Sequence, residues 1–434
     1  MRPAPFPTAE EIITSRARRE PMRAALEWHH RSVLLGRLAD LTAAKASALR
    51  ASVPAGAAVA QVMSSSPGLV AATLSIWRAG CTAVPLDARL APSELARRFR
   101  HSRVRCVIAH EEHVERVEEA LRLVGSEAVV LVSRGTELLP AGRPGRPRAV
   151  PKRASRDDDG GRGRDNEIAF HAYASDAGGE LRAIVLSHAN VVASALRVSG
   201  GRGDGPDDVV LATHPLHDVA GFVAEVLSRL ISGGSASLLG RADVDAALAA
   251  IEDHRVTDLS LSSELVSLLL ERRRLPRRAI RSVKKILLRN VRLPLTVKRE
   301  LADRFPDAEL IQSYGHPETT DGILMARHDA LFRKPDTLGK PHPGLVVGVA
   351  DPTGRMLRPG ERGEIVCRGS VVMRGYLRAP RLTRQVLRDG WLHTGDLGYI
   401  DEEGELLLAG RVTRATADVA PSSRSRVGGR AQQL

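Results

Sequence analysis

Aromatic side chains, cysteines and long apolar runs are all scarce in this chain. Phe, Trp and Tyr make up 3% of the 434 residues although 43% are hydrophobic, so a core must consist mainly of Ala, Val, Leu and Ile. No run approaches the roughly 20 apolar residues that a membrane-spanning helix needs. The N-terminus has no apolar signal core. The sequence therefore predicts a soluble protein without a membrane span.

Only three cysteines occur, and they stand far apart among apolar neighbours: Cys81, Cys106 and Cys367. This spacing provides neither a disulfide framework nor a CxxC metal site. We therefore expect free thiols and a reducing, cytoplasmic location.

Acidic residues are outnumbered by basic ones, and the formal net charge is +13. A basic balance favours contact with anionic ligands. However, the arginines are spread along the chain, without the aromatic-interleaved basic stripe that nucleic-acid platforms use. Nucleic-acid binding is therefore one hypothesis, and it rests on net charge alone. We interpret the charge as solvated surface that assists a phosphate-bearing substrate.

Helical periodicity alternates with short strand-like runs through most of the chain. In the first part, helices are predicted at 9–20, 32–52, 67–78 and 92–99, and strands at 56–63, 82–86, 104–109 and 128–132. This alternation predicts a parallel sheet with crossover helices. Past Pro335, Gly and Pro become frequent, no helix is predicted, and short strands at 346–350 and 363–368 indicate a β-rich lobe.

The predicted fold is α/β, with two doubly wound α/β subdomains and a small β-rich lobe. The first subdomain covers 1–133, the second 168–334 and the lobe 335–411. Residues 134–167 are rich in Gly, Pro and Arg and cannot bury enough apolar surface to order themselves, so we expect a linker or long loop. Residues 412–434 carry no periodicity and are expected to form a disordered tail.

A loop of small residues ends at Arg182, between strands predicted at 168–174 and 183–186. Such a loop exposes backbone N–H groups that can cradle phosphate, and Arg182 adds a fork of donors. An ordinary hairpin with a solvated arginine is the alternative for this loop alone. Ser187 is predicted as the N-cap of the next helix.

Two further places gather polar side chains. His214, His217 and Asp218 lie close together after the strand predicted at 208–212, without the spacing of a CxH or HxxxH metal site. Glu318 follows a strand predicted at 309–312, and ligands collect just past strand ends in open α/β sheets.

The order of these segments resembles that of the adenylate-forming ligases: acyl-CoA synthetases, acyl-AMP ligases and adenylation domains of peptide synthetases. The resemblance spans about 24–411 and is more specific than any one motif. SDAGGELRAIVLSH stands in the place of the phosphate loop, HPLHDVAG in that of the substrate-side motif, and QSYGHPE resembles Tyr-Gly-x-Thr-Glu. GKPHPG, GERGEIVCRG, RGYL and GWLHTGDLGYIDEEGELLLAGR match with little change.

The resemblance implies a two-step reaction. A carboxylate attacks the α-phosphorus of ATP, which yields an acyl-adenylate and pyrophosphate. A thiol, either coenzyme A or a carrier pantetheine, then takes the acyl group. An acyl carrier protein or a separate C-terminal domain is a further implied partner. The low aromatic content favours a fatty or other aliphatic acid.

Roles for individual residues follow from the same resemblance. Tyr314 would stack on adenine, and Gly315 would let the backbone approach it. Asp396 would accept hydrogen bonds from the ribose hydroxyls, and Arg411 would donate to the ribose. Glu318 is predicted to be catalytic and to hold Mg²⁺, which prefers carboxylate oxygen.

The remaining predicted contacts surround the phosphates and the acid. Arg182 is predicted to be catalytic, and the residues around pyrophosphate are Ser175, Gly178, Gly179 and Arg182. The residues on the acid side are His217, Asp218 and Gly221.

Departures from the family pattern fall where chemistry is done. Asp176 occupies the place of the phosphate loop's first glycine, and Pro317 that of a threonine. Arg289 falls in the adenine segment, where its side chain would obstruct a flat base. These departures favour a second hypothesis, a catalytically inactive relative that binds nucleotide, an acyl ligand or a protein partner.

The family continues past the Gly-Arg pair with a hinge and a mobile domain that supplies a catalytic lysine. Here Thr413 and Arg414 replace the hinge pattern, and these 434 residues hold no candidate for that lysine. We therefore expect a truncated chain with impaired activity, because such a lysine stabilises the transition state rather than the bound substrate.

Overall fold

The structure, a computed structural model, describes residues 7–134, 137–140, 167–173, 181–240, 243–289 and 293–411. The predicted tail at 412–434 and most of the predicted linker at 134–167 lie outside these residues, so their character stays a prediction. One piece of the linker prediction is wrong: Glu137–Pro140 is a strand that pairs antiparallel with Val129–Arg134. Four residues alone carry too little pattern to reveal a strand.

The described residues form two sheets flanked by helices. The larger sheet contains, in spatial order, Val346–Ala350, Gly363–Arg368, Trp391–Ile400, Leu406–Arg411, Thr337–Pro341, Asp321–Arg327, Glu309–His316, Lys285–Arg289, Asp258–Leu261, Val209–Ala212, Ser235–Leu238, Ala24–Trp28 and Arg31–Leu34, with Leu387–Arg388 paired to Trp391–Ile400. The smaller sheet contains Gly375–Tyr376, Ala183–Ser187, Ile168–Tyr173, Thr82–Leu86, Ala58–Val62, Cys106–His110, Val129–Arg134 and Glu137–Pro140.

The helices largely lie where periodicity predicted them. Their bounds are Ala9–Arg19, Leu35–Ser52, Pro67–Arg78, Pro92–Ser102, Val114–Leu123, His188–Arg202, Val219–Gly221, Ser228–Ser232, Val244–Asp253, Ser263–Glu271, Arg277–Ser282, Leu295–Arg304, His328–Arg333 and Pro380–Val386. A π-helical turn, Phe222–Leu227, joins two of them. The prediction of no helix past Pro335 is wrong, since Pro380–Val386 is helical.

Local capping explains two of these helix starts. Ser66 caps Pro67–Arg78, and proline stands at the first helical turn, where its missing N–H costs nothing. Ser187 caps His188–Arg202 in a capping box with Asn190, as predicted. In the described part of the chain, no helix combines the length and the apolar composition that crossing a bilayer requires.

The sheets exchange strands across the predicted subdomain boundaries, so those boundaries need correction. Ile168–Tyr173 joins the smaller sheet, with Phe170 opposite Ala83. Ala24–Trp28 joins the larger sheet, with Leu26 opposite Ala236. Local sequence pattern does not encode which distant strand a segment will pair with, because register is set by packing across the sheet.

Candidate functional site

Asp396 and Arg411 are cross-strand partners in the hairpin of Trp391–Ile400 and Leu406–Arg411. The guanidinium Nε of Arg411 donates to Oδ1 of Asp396 at 2.8 Å. The Asp396 carboxylate is buried, whereas the Arg411 side chain is 75% exposed. The pairing of the two strands thus places Arg411 beside Asp396, and the Arg411 side chain faces solvent.

A second strand brings Tyr314 and His316 to the same carboxylate. The Tyr314 hydroxyl donates to Oδ2 of Asp396 at 2.7 Å, and Nε2 of His316 lies 3.1 Å from that oxygen. Burial opposes ionisation of Asp396, but hydrogen bonds from His316, Tyr314 and Arg411 outweigh it and lower its pKa to about 2. Asp396 is therefore a carboxylate at neutral pH.

These side chains border an open cleft of about 560 Å³. Its lining residues are Gln312, Ser313, Tyr314, Gly315, His316, Pro317, Leu338, Asp396, Leu408, Gly410 and Arg411. Four of the predicted nucleotide contacts, Tyr314, Gly315, Asp396 and Arg411, are brought together here.

Gly315 allows an unusually close backbone approach beside this cleft. A Cβ at this position would come 2.1 Å from the carbonyl oxygen of Asp321 on the neighbouring strand. Any side chain would force the strands apart, so the glycine is required by packing as well as by its predicted role.

Glu318 lies in the 3₁₀ turn Pro317–Thr319, just past the strand that carries Tyr314. The Tyr376 hydroxyl donates to Oε1 of Glu318 at 2.7 Å, and the amide of Met373 donates to its carbonyl at 2.8 Å. Tyr376 belongs to the smaller sheet, where it lies opposite Ile184. Glu318 is thus held between the two sheets. Sequence reasoning did not assign Tyr376 a role, although it lies in the quoted RGYL motif.

Arg182 lies two residues before Ile184 and lines a different cleft, of about 900 Å³. That cleft also contains His101, Arg378 and Arg381. The other predicted phosphate contacts, Ser175, Gly178 and Gly179, lie outside the described residues, as does Asp176. The structure therefore does not bring Arg182 into the cleft of Tyr314 and Asp396.

His217 and Asp218 lie in the turn that leads into the helical segment Val219–Gly221, and Gly221 ends that segment. The amide of Leu216 donates to the Ser65 hydroxyl at 3.0 Å, which fastens this turn to the smaller sheet's loops. Nε2 of His217 lies 3.8 Å from Oδ2 of Asp87, but burial outweighs that carboxylate and lowers the pKa of His217.

Gly221 is required by the packing of the same turn. A Cβ on Gly221 would come 2.9 Å from Cβ of His214. An alanine at this position would therefore displace His214 from its present contacts.

A buried charge network connects this turn to the segment around Glu318, and sequence reasoning missed it. Nδ1 of His214 lies 2.5 Å from Oε1 of Glu225, which is fully buried in the π-helical turn. The Ser260 hydroxyl donates to the same oxygen at 2.5 Å. A lone glutamate in the apolar run FVAEVL is the sequence signal that could have revealed it.

Arg289 completes this network, which corrects our expectation that it would obstruct an adenine. Its Nη2 donates to Oδ1 of Asp321 at 2.6 Å, and its Nη1 to Oε1 of Glu225 at 3.4 Å. The side chain is 5% exposed and turns into the core rather than into the cleft. Two buried carboxylates compensate its charge, and this explains the inward orientation.

We expect Glu225→Gln to change how stability depends on pH. Burial disfavours the Glu225 carboxylate, but His214 and Arg289 outweigh it and lower its pKa from 4.5 to about 2. A lowered pKa stabilises the fold above about pH 4.5, and this stabilisation is lost as the pH falls towards 2. The free energy of unfolding of wild type and Glu225→Gln should differ by on the order of 3 kcal/mol near pH 5.5 and converge towards pH 2.5.

Urea denaturation across this pH range measures the effect. Glu118→Gln, an exposed change on Val114–Leu123, is the control and is expected to track wild type throughout. A constant difference between wild type and Glu225→Gln would contradict the assignment.

Comparisons with known proteins agree with this architecture. The family model described as AMP-binding enzyme matches residues 13–377. Feruloyl-CoA synthase of an Amycolatopsis species is 29% identical over 404 residues, covering 92% of this chain and 77% of that protein. The 2-succinylbenzoate–CoA ligase of Bacillus pumilus is 34% identical over 247 residues, covering 57% and 49%.

Among solved structures, O-succinylbenzoate coenzyme A synthetase from Bacillus subtilis in complex with ATP and magnesium ion superposes with a TM-score of 0.78. It is 25% identical to this chain, and the match covers 92% of this chain and 79% of that one. The predicted α/β fold, that of the large N-terminal domain of adenylate-forming enzymes, is therefore confirmed.

Proposed function

The chain belongs to the family of AMP-binding enzymes, and from this premise we propose that it uses ATP to activate a carboxylic acid as an acyl-adenylate. The observation that carries the proposal is the convergence of Tyr314, His316 and Arg411 on one buried, ionised carboxylate, Asp396.

The cleft next to Asp396 suits a nucleoside in size and in chemistry. A volume of about 560 Å³ lies within the range of small-molecule sites. Leu338, Leu408 and Pro317 offer apolar surface to a flat base, and Asp396 offers acceptor oxygens to ribose hydroxyls. The Nε of Arg411 is bound to Asp396, so its terminal nitrogens can donate to the ribose.

Glu318 fits the part of a magnesium ligand. Mg²⁺ is usually held by one or two carboxylates together with substrate phosphates, whose negative charge it neutralises. The Tyr376 hydroxyl donates to one Glu318 oxygen and orients the group, while the other oxygen is available in the same carboxylate. We propose that Arg182, which lines the second cleft, contacts phosphate together with the loop that precedes it in the chain.

The acid and the acceptor complete the proposal. We place the acid beside His217, Asp218 and Gly221, and coenzyme A, or alternatively a carrier pantetheine, as the thiol that accepts the acyl group. A fatty or other aliphatic acid remains our proposed substrate class. Free buried thiols at Cys81, Cys106 and Cys367 suit a reducing compartment such as the cytoplasm.

Acid-dependent exchange of labelled pyrophosphate into ATP tests the reaction. The panel contains long-chain fatty acids, ferulate, 2-succinylbenzoate and indoleacetate, because relatives named for such acids are similar to this chain. We expect exchange with at least one acid and none after chelation of Mg²⁺. Nucleotide binding without exchange for any acid would instead favour a catalytically inactive relative. Absence of nucleotide binding would contradict the proposed reaction and would favour an inactive relative that binds an acyl ligand or a protein partner.

We expect Tyr376→Phe to raise the Mg²⁺ concentration needed for half-maximal exchange by about tenfold. The change removes the hydroxyl that orients Glu318, and lost outer-shell partners typically cost 10–100-fold in metal affinity. Tyr399→Phe is the matched control, because Tyr399 stacks under Arg362 on the β-rich lobe and does not line the cleft. An unchanged Mg²⁺ requirement in Tyr376→Phe would argue against Glu318 as the ligand.

A further inference from the structure

Three side chains that are common metal ligands meet at one end of the smaller sheet. They are His110, Glu112 and His113, whose ligand atoms all lie within 4.8 Å of one another. His110 ends the strand Cys106–His110, and the other two follow in the 3₁₀ turn Glu111–His113. Ser64 joins them from the end of Ala58–Val62, a parallel neighbour. Ligands bind preferentially at the carboxyl ends of parallel strands.

Glu112, His113 and Ser64 lie within hydrogen-bond distance of one another, and the Ser64 amide donates to Nδ1 of His110 at 3.3 Å. Nε2 of His113 lies 3.2 Å from Oε1 of Glu112. Oγ of Ser64 lies 3.2 Å from the same Glu112 oxygen and 3.3 Å from Nε2 of His113. Two ligands held about 2.0–2.2 Å from a tetrahedral zinc ion lie about 3.3–3.6 Å apart. The three ligand atoms lie within 4.8 Å of one another, so they must close by up to about 1.5 Å to hold one ion, and an ion at Nδ1 of His110 would replace the hydrogen bond from the Ser64 amide.

We propose that His110, Glu112 and His113 bind one Zn²⁺ ion, with the fourth position open to water or to the Ser64 hydroxyl. Two imidazoles and one carboxylate form a ligand set that zinc commonly uses when one position stays open.

The charges around the group are mixed. Glu112 supplies a negative charge, whereas Lys45 and Arg116 act on the imidazoles as positive ones. The Lys45 ammonium donates to the Ser133 hydroxyl at 3.3 Å. A metal with strong affinity for imidazole is therefore favoured over Mg²⁺ or Ca²⁺, which depend on carboxylate charge.

The site adjoins the acid-side turn. Ser64 is followed by Ser65, whose hydroxyl accepts the hydrogen bond from the amide of Leu216. Zinc bound beside Ser64 would tie the ends of two strands together and stiffen the loop that holds this turn. Zinc binding itself requires neither ATP nor an acid, so it can be tested apart from the proposed reaction.

The test uses the full chain without an affinity tag, freed of metal with a chelator and dialysed. We expect titration calorimetry with Zn²⁺ to give one site per chain, and Co²⁺ to give the visible absorption of a tetrahedral complex. His110→Ala and His113→Ala each remove one of three protein ligands and are expected to weaken binding at least about tenfold. Thermal unfolding without metal shows whether each variant is folded.

Two further variants distinguish loss of a zinc ligand from loss of the fold. Glu112→Gln changes an exposed side chain, so it preserves the fold while it weakens binding. His30→Ala is the matched control: His30 is 88% exposed and lies 3.3 Å from Asp253, but stands outside the group, and zinc affinity should not change. Failure of wild type to bind Zn²⁺ would overturn the proposal, as would equal binding in the three ligand variants.

Discussion

Replacing Asp396 with asparagine is expected to weaken ATP binding by about 10- to 100-fold, because hydrogen bonds to a charged group are each worth about 1.5–3 kcal/mol. The substitution keeps the size of the side chain but removes the charge on which Tyr314, His316 and Arg411 converge. It also replaces one acceptor oxygen with a donor, so a ribose hydroxyl loses its partner. Equilibrium binding of a fluorescent ATP analogue, competed with ATP, measures the change.

Glu402→Gln is the matched control for Asp396→Asn. It removes one negative charge from the turn of the same hairpin, but Glu402 is exposed and does not line the cleft. Its ATP affinity should equal that of wild type. If folded Asp396→Asn kept wild-type affinity, the cleft would not be the ribose site.

Replacing Arg229 with methionine is expected to lower the free energy of unfolding by about 3–5 kcal/mol, because it leaves the buried Asp258 carboxylate without its main counter-charge. Arg229 is fully buried, contacts Asp258 and lies 2.7 Å from Oδ1 of Asp204. Arg202 still binds Asp204, with its Nη2 2.6 Å from Oδ2, but Lys285 lies 3.7 Å from Asp258, too far for a hydrogen bond.

Arg229, its partners Asp204 and Asp258, and the nearby Lys285 lie away from the cleft. We therefore expect Arg229→Met to lower stability without a direct effect on nucleotide binding. Asp258 and Lys285 are the first residues of parallel strands, whereas the cleft is lined by the second half of the strand Glu309–His316 and by antiparallel strands that follow it in the chain. Arg272→Met removes an exposed arginine 2.6 Å from Asp245 and should cost about 1 kcal/mol or less. Urea denaturation of both variants gives the comparison, and equal losses would contradict the buried-pair argument.

Elements with a strong local pattern were predictable from sequence. The helix Pro67–Arg78 and the strands Thr82–Leu86, Val346–Ala350 and Gly363–Arg368 have the predicted bounds, because periodicity and caps are encoded within each segment. The strand Asp321–Arg327 was missed. It pairs antiparallel with Glu309–His316, and that pairing depends on a neighbour rather than on its own residues.

The candidate site was likewise predictable only in part. Tyr314, Gly315, Asp396 and Arg411 were identified through motif order, and the fold gathers them in one cleft. His316 was not assigned a role, because nothing in its neighbours along the chain shows that Asp396, eighty residues later, would lie 3.1 Å away. Arg182, by contrast, was expected in the same site and lines another cleft.

The sequence by itself determined the α/β class, the order of motifs and the helices and strands with clear periodicity, since these depend on contacts within a few residues. Only the tertiary structure decided how the two sheets exchange strands and where charged side chains point. Arg289 shows the reason: its place at the end of a strand is local information, but its orientation is not. Glu225 and Asp321, far away in the chain, compensate its charge in the core, and a buried charge lies where its counter-charges are.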